Sequence, residues 1–310
     1  MNSNSGLPTH DALDNCGVVI TGAAGGLGRA HAEACLAAGA TVFLTDLPGH
    51  HLEGLALHLD PGRSRVGWAE ADIRDASQVE RIARDAVRLC GHLDGWINNA
   101  GAIAFGRVDR VPLASIRHLI DVNVLGTVNG LLAAADVMTS QGHGGAVVNT
   151  TSGTQNGNEP DTTGYGMTKG AVTSLTYGAA ADLAPEGIRV NAISPLAQTK
   201  MIAARDTHYV ERGYPAIFDN VPPAHASAAA AVYLLSQRAA KITGRVIRID
   251  EAGYSIVSKA DPGPVVVDRS SVASFDDLAD GLDAILRGPQ PRASQASAQP
   301  HTSASENRTK

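Results

Sequence analysis

Cys16-Gly17-Val18-Val19-Ile20-Thr21-Gly22-Ala23-Ala24-Gly25-Gly26-Leu27-Gly28 runs from an apolar segment through a glycine-rich turn into a helical pattern that extends from Arg29 to about Ala38. Val18, Val19 and Ile20 read as a short buried strand, because β-branched side chains suit a pleated surface and no polar residue interrupts them. Strand, glycine turn and helix, in that order, bring a pyrophosphate onto a helix N-terminus, where free backbone N–H groups and the dipole favour an anion. The glycines fall as Gly22-x-x-x-Gly26-x-Gly28. A tight β–α connection would use similar glycines, so the turn gains its meaning from the next strand. Thr41-Val42-Phe43-Leu44-Thr45 forms that strand and ends at Asp46. A carboxylate at that strand end is placed to accept both hydroxyls of an adenosine ribose.

Outward from this unit, strand and helix patterns alternate, as a parallel sheet covered on both faces requires. A polar helix is expected near residues 51–58 and a strand near 65–69. A helix follows over about 77–90, with Val79, Ile82, Ala83, Ala86 and Val87 on one stripe. Gly95-Trp96-Ile97-Asn98 reads as a strand, and a long helical region then runs to about Ser140, loosened where Asn123 sits. Residues 144–151 read as a strand that delivers Ser152 at its C-terminal end, where open α/β sheets bind ligands. The fold class is α/β: one Rossmann-type, doubly wound parallel sheet of about seven strands with helices on both faces. The expected organisation is a disordered N-terminus over 1–14, a dinucleotide-binding and catalytic domain over 15–250, an extension over 251–288 packing on the domain or its oligomer, and a disordered tail over 289–310 rich in Ser, Gln, Ala and Pro.

Tyr165 and Lys169 lie one helical turn apart, so a helix starting near Tyr165 carries both on one face. A phenol beside an ammonium makes a base for neutral pH. Free Tyr titrates near ~10, and a working pKa near ~7 needs roughly 4 kcal/mol of differential stabilisation. One positive charge at ~4 Å in an effective dielectric of ~20 supplies about that much before desolvation subtracts from it. The Ser152 hydroxyl is positioned to hold the oxygen of a carbinol or carbonyl. Tyr-x-x-x-Lys alone is a weak signal, since surface helices carry such pairs by chance.

Together these residues resemble the short-chain dehydrogenase/reductase family, in the group with a Thr-Gly-x-x-x-Gly-x-Gly turn, over residues 17–250. The resemblance implies a cofactor site at Gly22, Gly26, Leu27, Gly28 and Asp46, with Asp72 and Ile73 beside the adenine. It also implies Asn99, Ala100 and Gly101 after the fourth strand, and Pro195 and Thr199 near the nicotinamide. Asn123, Ser152, Tyr165 and Lys169 match the family's catalytic tetrad. As implied, Tyr165 takes the hydroxyl proton as hydride leaves the carbinol carbon, and Ser152 orients the reacting oxygen. Lys169 lowers the Tyr165 pKa and bonds the nicotinamide ribose, and Asn123 holds a water that links Lys169 to solvent. Two departures stand out: Pro195 is followed by Leu196 and Ala197 where the family has Pro-Gly, and the chain continues for sixty residues after Asp250. The cofactor expected is NAD, because Asp46 repels a 2′-phosphate and neither the turn nor Leu47-Pro48-Gly49 holds a cation; Arg29 should face away. The contrasting reading is a catalytically silent dinucleotide-binding regulator, which would be expected to have lost the tetrad.

Composition agrees with a soluble enzyme. With 310 residues, 44% of them hydrophobic, one large domain can bury a substantial core. A net charge of −6 gives no hint of a nucleic-acid partner, no apolar run reaches the ~18 residues a membrane span needs, and the first residues lack a secretory pattern. Cys16, Cys35 and Cys90 are scattered, and His50-His51 has no ligand partners at metal spacing, so no metal is expected and His50-His51 reads as a solvated helix start. Cytoplasm is the expected compartment.

The substrate lid is expected at about residues 199–226, with Tyr209, Tyr214 and Phe218 in a chain that is 4% aromatic. They offer a wide apolar surface for a ring or acyl chain, or they pack onto the core. Ser274 is expected to cap a helix with Asp276 and Asp277 in its first turn and Phe275, Leu278, Leu282 and Ile285 on one stripe. That extension and the Ser-Pro-Leu-Ala turn resemble dehydrogenases of the multifunctional hydroxyacyl-CoA type, implying a 3-hydroxyacyl-CoA or a steroid-like secondary alcohol. The family commonly forms tetramers, here through residues 115–140 and 164–183, with Ala171, Val172, Leu175, Ala179 and Leu183 as contact surface; a dimer is the second expectation.

Overall fold

The computed structural model describes residues 12–214 and 220–259. Its elements run β1 (Gly17–Thr21), α1 (Gly26–Ala37), β2 (Thr41–Asp46), α2 (Leu52–Leu59), β3 (Val66–Glu70), α3 (Ala76–Cys90), β4 (Gly95–Asn98) and α4 (Leu113–Leu119). A π-helical turn (Ile120–Leu125) leads into α5 (Gly126–Gln141), followed by β5 (Gly145–Thr150), α6 (Thr163–Asp182), β6 (Ile188–Pro195), α7 (Lys200–Arg212), α8 (Ala224–Leu235), β7 (Val246–Asp250) and β8 (Gly253–Ile256). The chain divides into two units, Met1–Ser258 and Lys259–Lys310, and all of these elements belong to the first. The expected helix after Ser274, the tail over 289–310 and the lid residue Phe218 lie outside the described residues.

The sheet order is β3-β2-β1-β4-β5-β6-β7-β8. The first seven strands pair in parallel, and the order reverses between β1 and β4, the switch point where such sheets bind ligands. β8 is an eighth strand, antiparallel on β7. It carries the sheet beyond residue 250, the expected end of the domain.

Successive strand residues point to opposite faces, and both faces are covered. Val18 and Ile20 join a core with Leu36, Leu44, Leu234 and Ile249. Val19, Phe43 and Trp96 join the opposite core with Ile82, Ala86, Ala134 and Met138. The α3 stripe read from the sequence is buried at Val79, Ile82, Ala83 and Ala86, and Asp75 caps that helix by accepting from the Ser77 and Gln78 N–H groups.

Two expectations change. Leu13 belongs to the core and not to a disordered N-terminus; it is buried, and its N–H donates to the Ala38 carbonyl at 2.8 Å. Val172 and Ala179 turn inward and are buried, so they cannot form a subunit contact surface. The continuous helical stretch Leu113–Gln141 is long and apolar enough to cross a membrane by length and composition. It is nevertheless a core helix, since Leu131, Ala133, Ala134 and Met138 pack in the second core.

Candidate active site

The glycine turn is held by close backbone contacts. Gly22 has φ +63°, and a Cβ there would lie 2.7 Å from Ala100 Cα; a Cβ on Gly28 would overlap the Gly22 carbonyl oxygen. Only glycine lets these segments approach so closely. Thr21 and Asn99 tie the turn to the loop after β4. The Thr21 hydroxyl accepts from Asn99 N–H (3.0 Å) and Ala100 N–H (3.1 Å), and the Asn99 amide donates to the carbonyls of Thr21 and Gly22 (3.0 Å each). Helix α1 then begins at Gly26 with Gly25 as its N-cap, so no side-chain hydrogen bond caps its first turn. An uncapped helix start at a switch point fits a dinucleotide pyrophosphate.

Asp46, at the end of β2, accepts from Ala24 N–H through Oδ2 (3.0 Å) and from Leu47 N–H through Oδ1 (2.8 Å). His50 Nδ1 also reaches Oδ1, at 2.7 Å. His50 is therefore not a plain solvated helix start; it partners the carboxylate expected to read the ribose. Arg29 pairs with Glu33 on the exposed side of α1, as the helix register requires. Asp72 is held by Arg74 Nη2 at 2.5 Å, which keeps its carboxyl below the usual range, and Ile73 packs against Gly126.

Asn123, Ser152, Tyr165 and Lys169 come together on three elements. Asn123 sits in the π-helical turn, fully buried, a distortion common at functional sites. Its Oδ1 accepts from Ala102 N–H (2.8 Å), and its Nδ2 donates to Ala102 O (2.9 Å) and Thr168 Oγ1 (3.0 Å). Its side chain thus clamps the loop after β4. Ser152 follows the end of β5 by two residues, and its Oγ accepts from Thr154 Oγ1 at 3.1 Å.

Tyr165 and Lys169 share one face of α6, with Lys169 Nζ 5.6 Å from the phenol ring centre. Nζ donates to Thr150 O at 2.8 Å, and the Tyr165 hydroxyl reaches Met201 Sδ at 3.7 Å. Burial pushes the Tyr165 phenol up to about 12, against a smaller downward pull from the Ser152 hydroxyl. Burial also brings Lys169 down to about 8. Desolvation is thus the largest influence on this phenol, and its direction is opposite to the lowering expected from the sequence.

Ser152, Tyr165 and Lys169 line one cleft that is open to solvent, together with Leu27, Asn99, Gly101, Pro195 and Thr199. Thr199 caps α7, its Oγ1 accepting from Ile202 N–H at 3.4 Å. The unusual Leu196 and Ala197 are buried, and the turn is pinned by Leu196 N–H to Ile249 O (2.8 Å) and Gln198 N–H to Pro222 O (3.0 Å). Tyr209 and Tyr214 do not line the cleft. Tyr209 is buried and donates to Pro160 O at 3.0 Å, and its ring meets that of Tyr214 edge-on at 5.4 Å. The lid residues that face the cleft are Met201, Ile202 and Arg205, which sequence reading passed over along with Glu159 and Arg248. The polar segment around Glu159 was the one available signal, but only the fold brings residues 159, 205 and 248 together. Among the described residues, no group of His, Cys, Asp and Glu could hold a metal ion.

A family model described as Enoyl-(Acyl carrier protein) reductase matches residues 22–255. The chain is 33% identical over 248 residues to 2-(S)-hydroxypropyl-CoM dehydrogenase 3 of Xanthobacter autotrophicus, covering 77% of this chain and 96% of that protein. It is 31% identical over 249 residues to 2,5-dichloro-2,5-cyclohexadiene-1,4-diol dehydrogenase of Sphingobium indicum, with 77% and 97% covered. Among solved structures, carveol dehydrogenase of Mycobacterium avium in complex with NAD is similar at a TM-score of 0.72 and 25% identity, with 77% of this chain and 98% of that one covered.

Proposed function

Because the chain belongs to the short-chain dehydrogenase/reductase family, we propose that it oxidises a secondary alcohol with NAD and reduces the ketone in reverse. The observation that carries this reading is one cleft with Ser152, Tyr165 and Lys169 in its wall and Leu27, from the uncapped first turn of α1, lining it too. Asp46, at the neighbouring strand end, suits the ribose hydroxyls of NAD and opposes a 2′-phosphate. NAD, when bound, supplies the hydride acceptor and a positive charge.

The chain's own residues handle the proton and the geometry. Ser152 orients the carbinol oxygen, and Tyr165 takes the hydroxyl proton. Lys169, with its pKa near 8, is charged at neutral pH and supports the phenolate. Asn123 fixes the loop after β4 and stands near Lys169: a Cβ on Gly101 would lie 3.3 Å from Asn123 Oδ1 and 3.6 Å from Lys169 Nζ. That gap is the proposed place for a relay water. Ile103, Leu196, Met201 and Ile202 give the cleft an apolar wall that suits the carbon skeleton of a cyclic or acyl alcohol.

We also place the protein in the cytoplasm, as a homotetramer first and a dimer second. Leu132 and Met167, 61% and 49% exposed, support an assembly through α5 and α6, and Leu125, 48% exposed at the end of the π-helical turn, extends that surface. The test of the activity is absorbance at 340 nm on mixing protein, NAD and a panel of secondary alcohols, including alicyclic alcohols, steroids and hydroxyacyl-CoA thioesters. NADH formation is expected with at least one class, and its absence across the panel would remove the assignment.

A further inference from the structure

The cleft carries three charged side chains that the proton and hydride chemistry does not use: Glu159, Arg205 and Arg248. Glu159 and Arg205 are nearly covered, their side chains 8% and 5% exposed. Arg205 Nη1 stands 3.9 Å from Glu159 Oε2, beyond hydrogen-bond range, while Nη2 of the same guanidinium donates to Asp206 Oδ1 at 2.8 Å. Arg248 Nε donates to Asp250 Oδ2 at 2.9 Å, and its guanidinium lies against Gly153, where a Cβ would overlap it. That places a fork of N–H donors next to Ser152. Glu159 Oε2, in contrast, is buried with no hydrogen-bond donor. A buried acceptor without a donor forfeits its solvation, so an unmet carboxylate oxygen in a cleft wall marks where a ligand donor belongs.

Charge decides what kind of donor. Two guanidiniums stand among three carboxylates, Glu159, Asp206 and Asp250. An anionic substituent would meet Glu159 with no surplus of positive charge to offset it. A neutral hydroxyl suits the mixture, since its O–H donates to the carboxylate while its oxygen accepts from a guanidinium. On the dehydrogenase reading of this cleft, we infer that the substrate carries a second hydroxyl beside the reacting carbinol, bound by Glu159 Oε2 and the Arg248 guanidinium. The protein is selective for a diol or polyol over the matching mono-alcohol. Glu159 is then a specificity-determining residue, and the apolar wall opposite receives the carbon skeleton.

The experiment compares trans-cyclohexane-1,2-diol with cyclohexanol, and with 2-hydroxycyclohexanecarboxylate as the anionic counterpart, in the NAD-loaded enzyme, by initial rates and by thermal shift of the NADH complex. The wild type should favour the diol by about tenfold to a hundredfold in kcat/KM, and the diol should raise the melting temperature more than cyclohexanol does at equal concentration. Glu159→Leu should bring the ratio of the two kcat/KM values to within about twofold of one, whatever the absolute rates. Glu159→Gln, which keeps an acceptor oxygen, should retain part of the preference. If Glu159 only braces Arg205, both substrates weaken together and the ratio stays, which overturns the inference. Equal wild-type kcat/KM values, or 2-hydroxycyclohexanecarboxylate as the best of the set, overturn it too. Should no alcohol turn over, the dehydrogenase reading fails by itself, and the thermal shifts still decide whether the diol is preferred. They also decide the matter if Glu159→Leu does not fold.

Discussion

His31 should make this protein acid-sensitive in a way that one substitution cures. It lies on α1 with no exposed surface, and neither ring nitrogen has a hydrogen-bond partner. Burial takes its pKa from 6.5 down to about 4. A lowered folded-state pKa means that between pH 6.5 and 4 the unfolded chain binds a proton which the folded chain refuses, so stability falls as the pH drops through that window. At ~1.4 kcal/mol per pKa unit the full effect is ~3 kcal/mol, of which ~2 kcal/mol is present at pH 5 relative to pH 7. For a domain of this size each kcal/mol moves the melting temperature by roughly 2–4 °C, giving ~4–8 °C. His31→Leu keeps comparable bulk and removes both orphaned nitrogens, so at pH 7 it should melt no lower than the wild type. Melts followed by circular dichroism at pH 7 and pH 5, at matched ionic strength, should show the variant's lead growing by about 4–8 °C at the lower pH. The carboxylates common to both proteins cancel in that comparison. A lead that is the same at both pH values would refute the reasoning and mean that His31 is protonated, or hydrated, inside the fold.

Tyr165→Phe should abolish turnover while leaving NADH fluorescence titrations nearly unchanged, and Lys169→Ala should damage both; a Phe variant keeping more than about a tenth of the activity, a loss under ~1.4 kcal/mol, removes the proton-acceptor role. NAD should be preferred over NADP by at least ~100-fold in kcat/KM, about 2.7 kcal/mol, and Asp46→Ala should narrow this mostly by weakening NAD. His50→Ala should lower KM for NAD a few-fold (~2–5), because His50 and Leu47 N–H already occupy Asp46 Oδ1 and the ribose hydroxyls must compete with them; an unchanged KM would mean that the imidazole swings away without cost. Leu132→Asp should lower the assembly state measured by light scattering at micromolar concentration, and a wild-type protein that is already a monomer there would remove the proposed α5–α6 interface.

Much of the fold was legible because its central strands are buried on both faces. Runs such as Val18-Val19-Ile20 and Ala146-Val147-Val148 have one interpretation when a glycine turn or the Ser152 segment comes after them. The loosening at Asn123 was legible too and proved to be the π-helical turn. β8 was not, since Gly253, Tyr254, Ser255 and Ile256 form a short edge strand with Tyr254 56% and Ile256 58% exposed, and such a segment carries no burial pattern. For Tyr209 and Tyr214 the sequence left two readings open, because aromatic content says nothing of direction, and the Pro160 and Asp161 groups that receive them lie far away in sequence. The Glu159, Arg205 and Arg248 cluster and the Asp46–His50 pair depend on side-chain approach that no spacing rule encodes.

Lys169, 3% exposed and held near a pKa of 8, has a bearing on how this protein can be improved in the laboratory. At neutral pH the free chain folds with a charged ammonium inside it, an expense of ~3 kcal/mol that an apolar side chain of similar length would not incur. Any search for heat-resistant variants that screens the cofactor-free protein will therefore enrich replacements such as Lys169→Met, which melt later and turn nothing over. Screening with saturating NAD present reverses that selection, because the ligand then rewards the chains that still bind it.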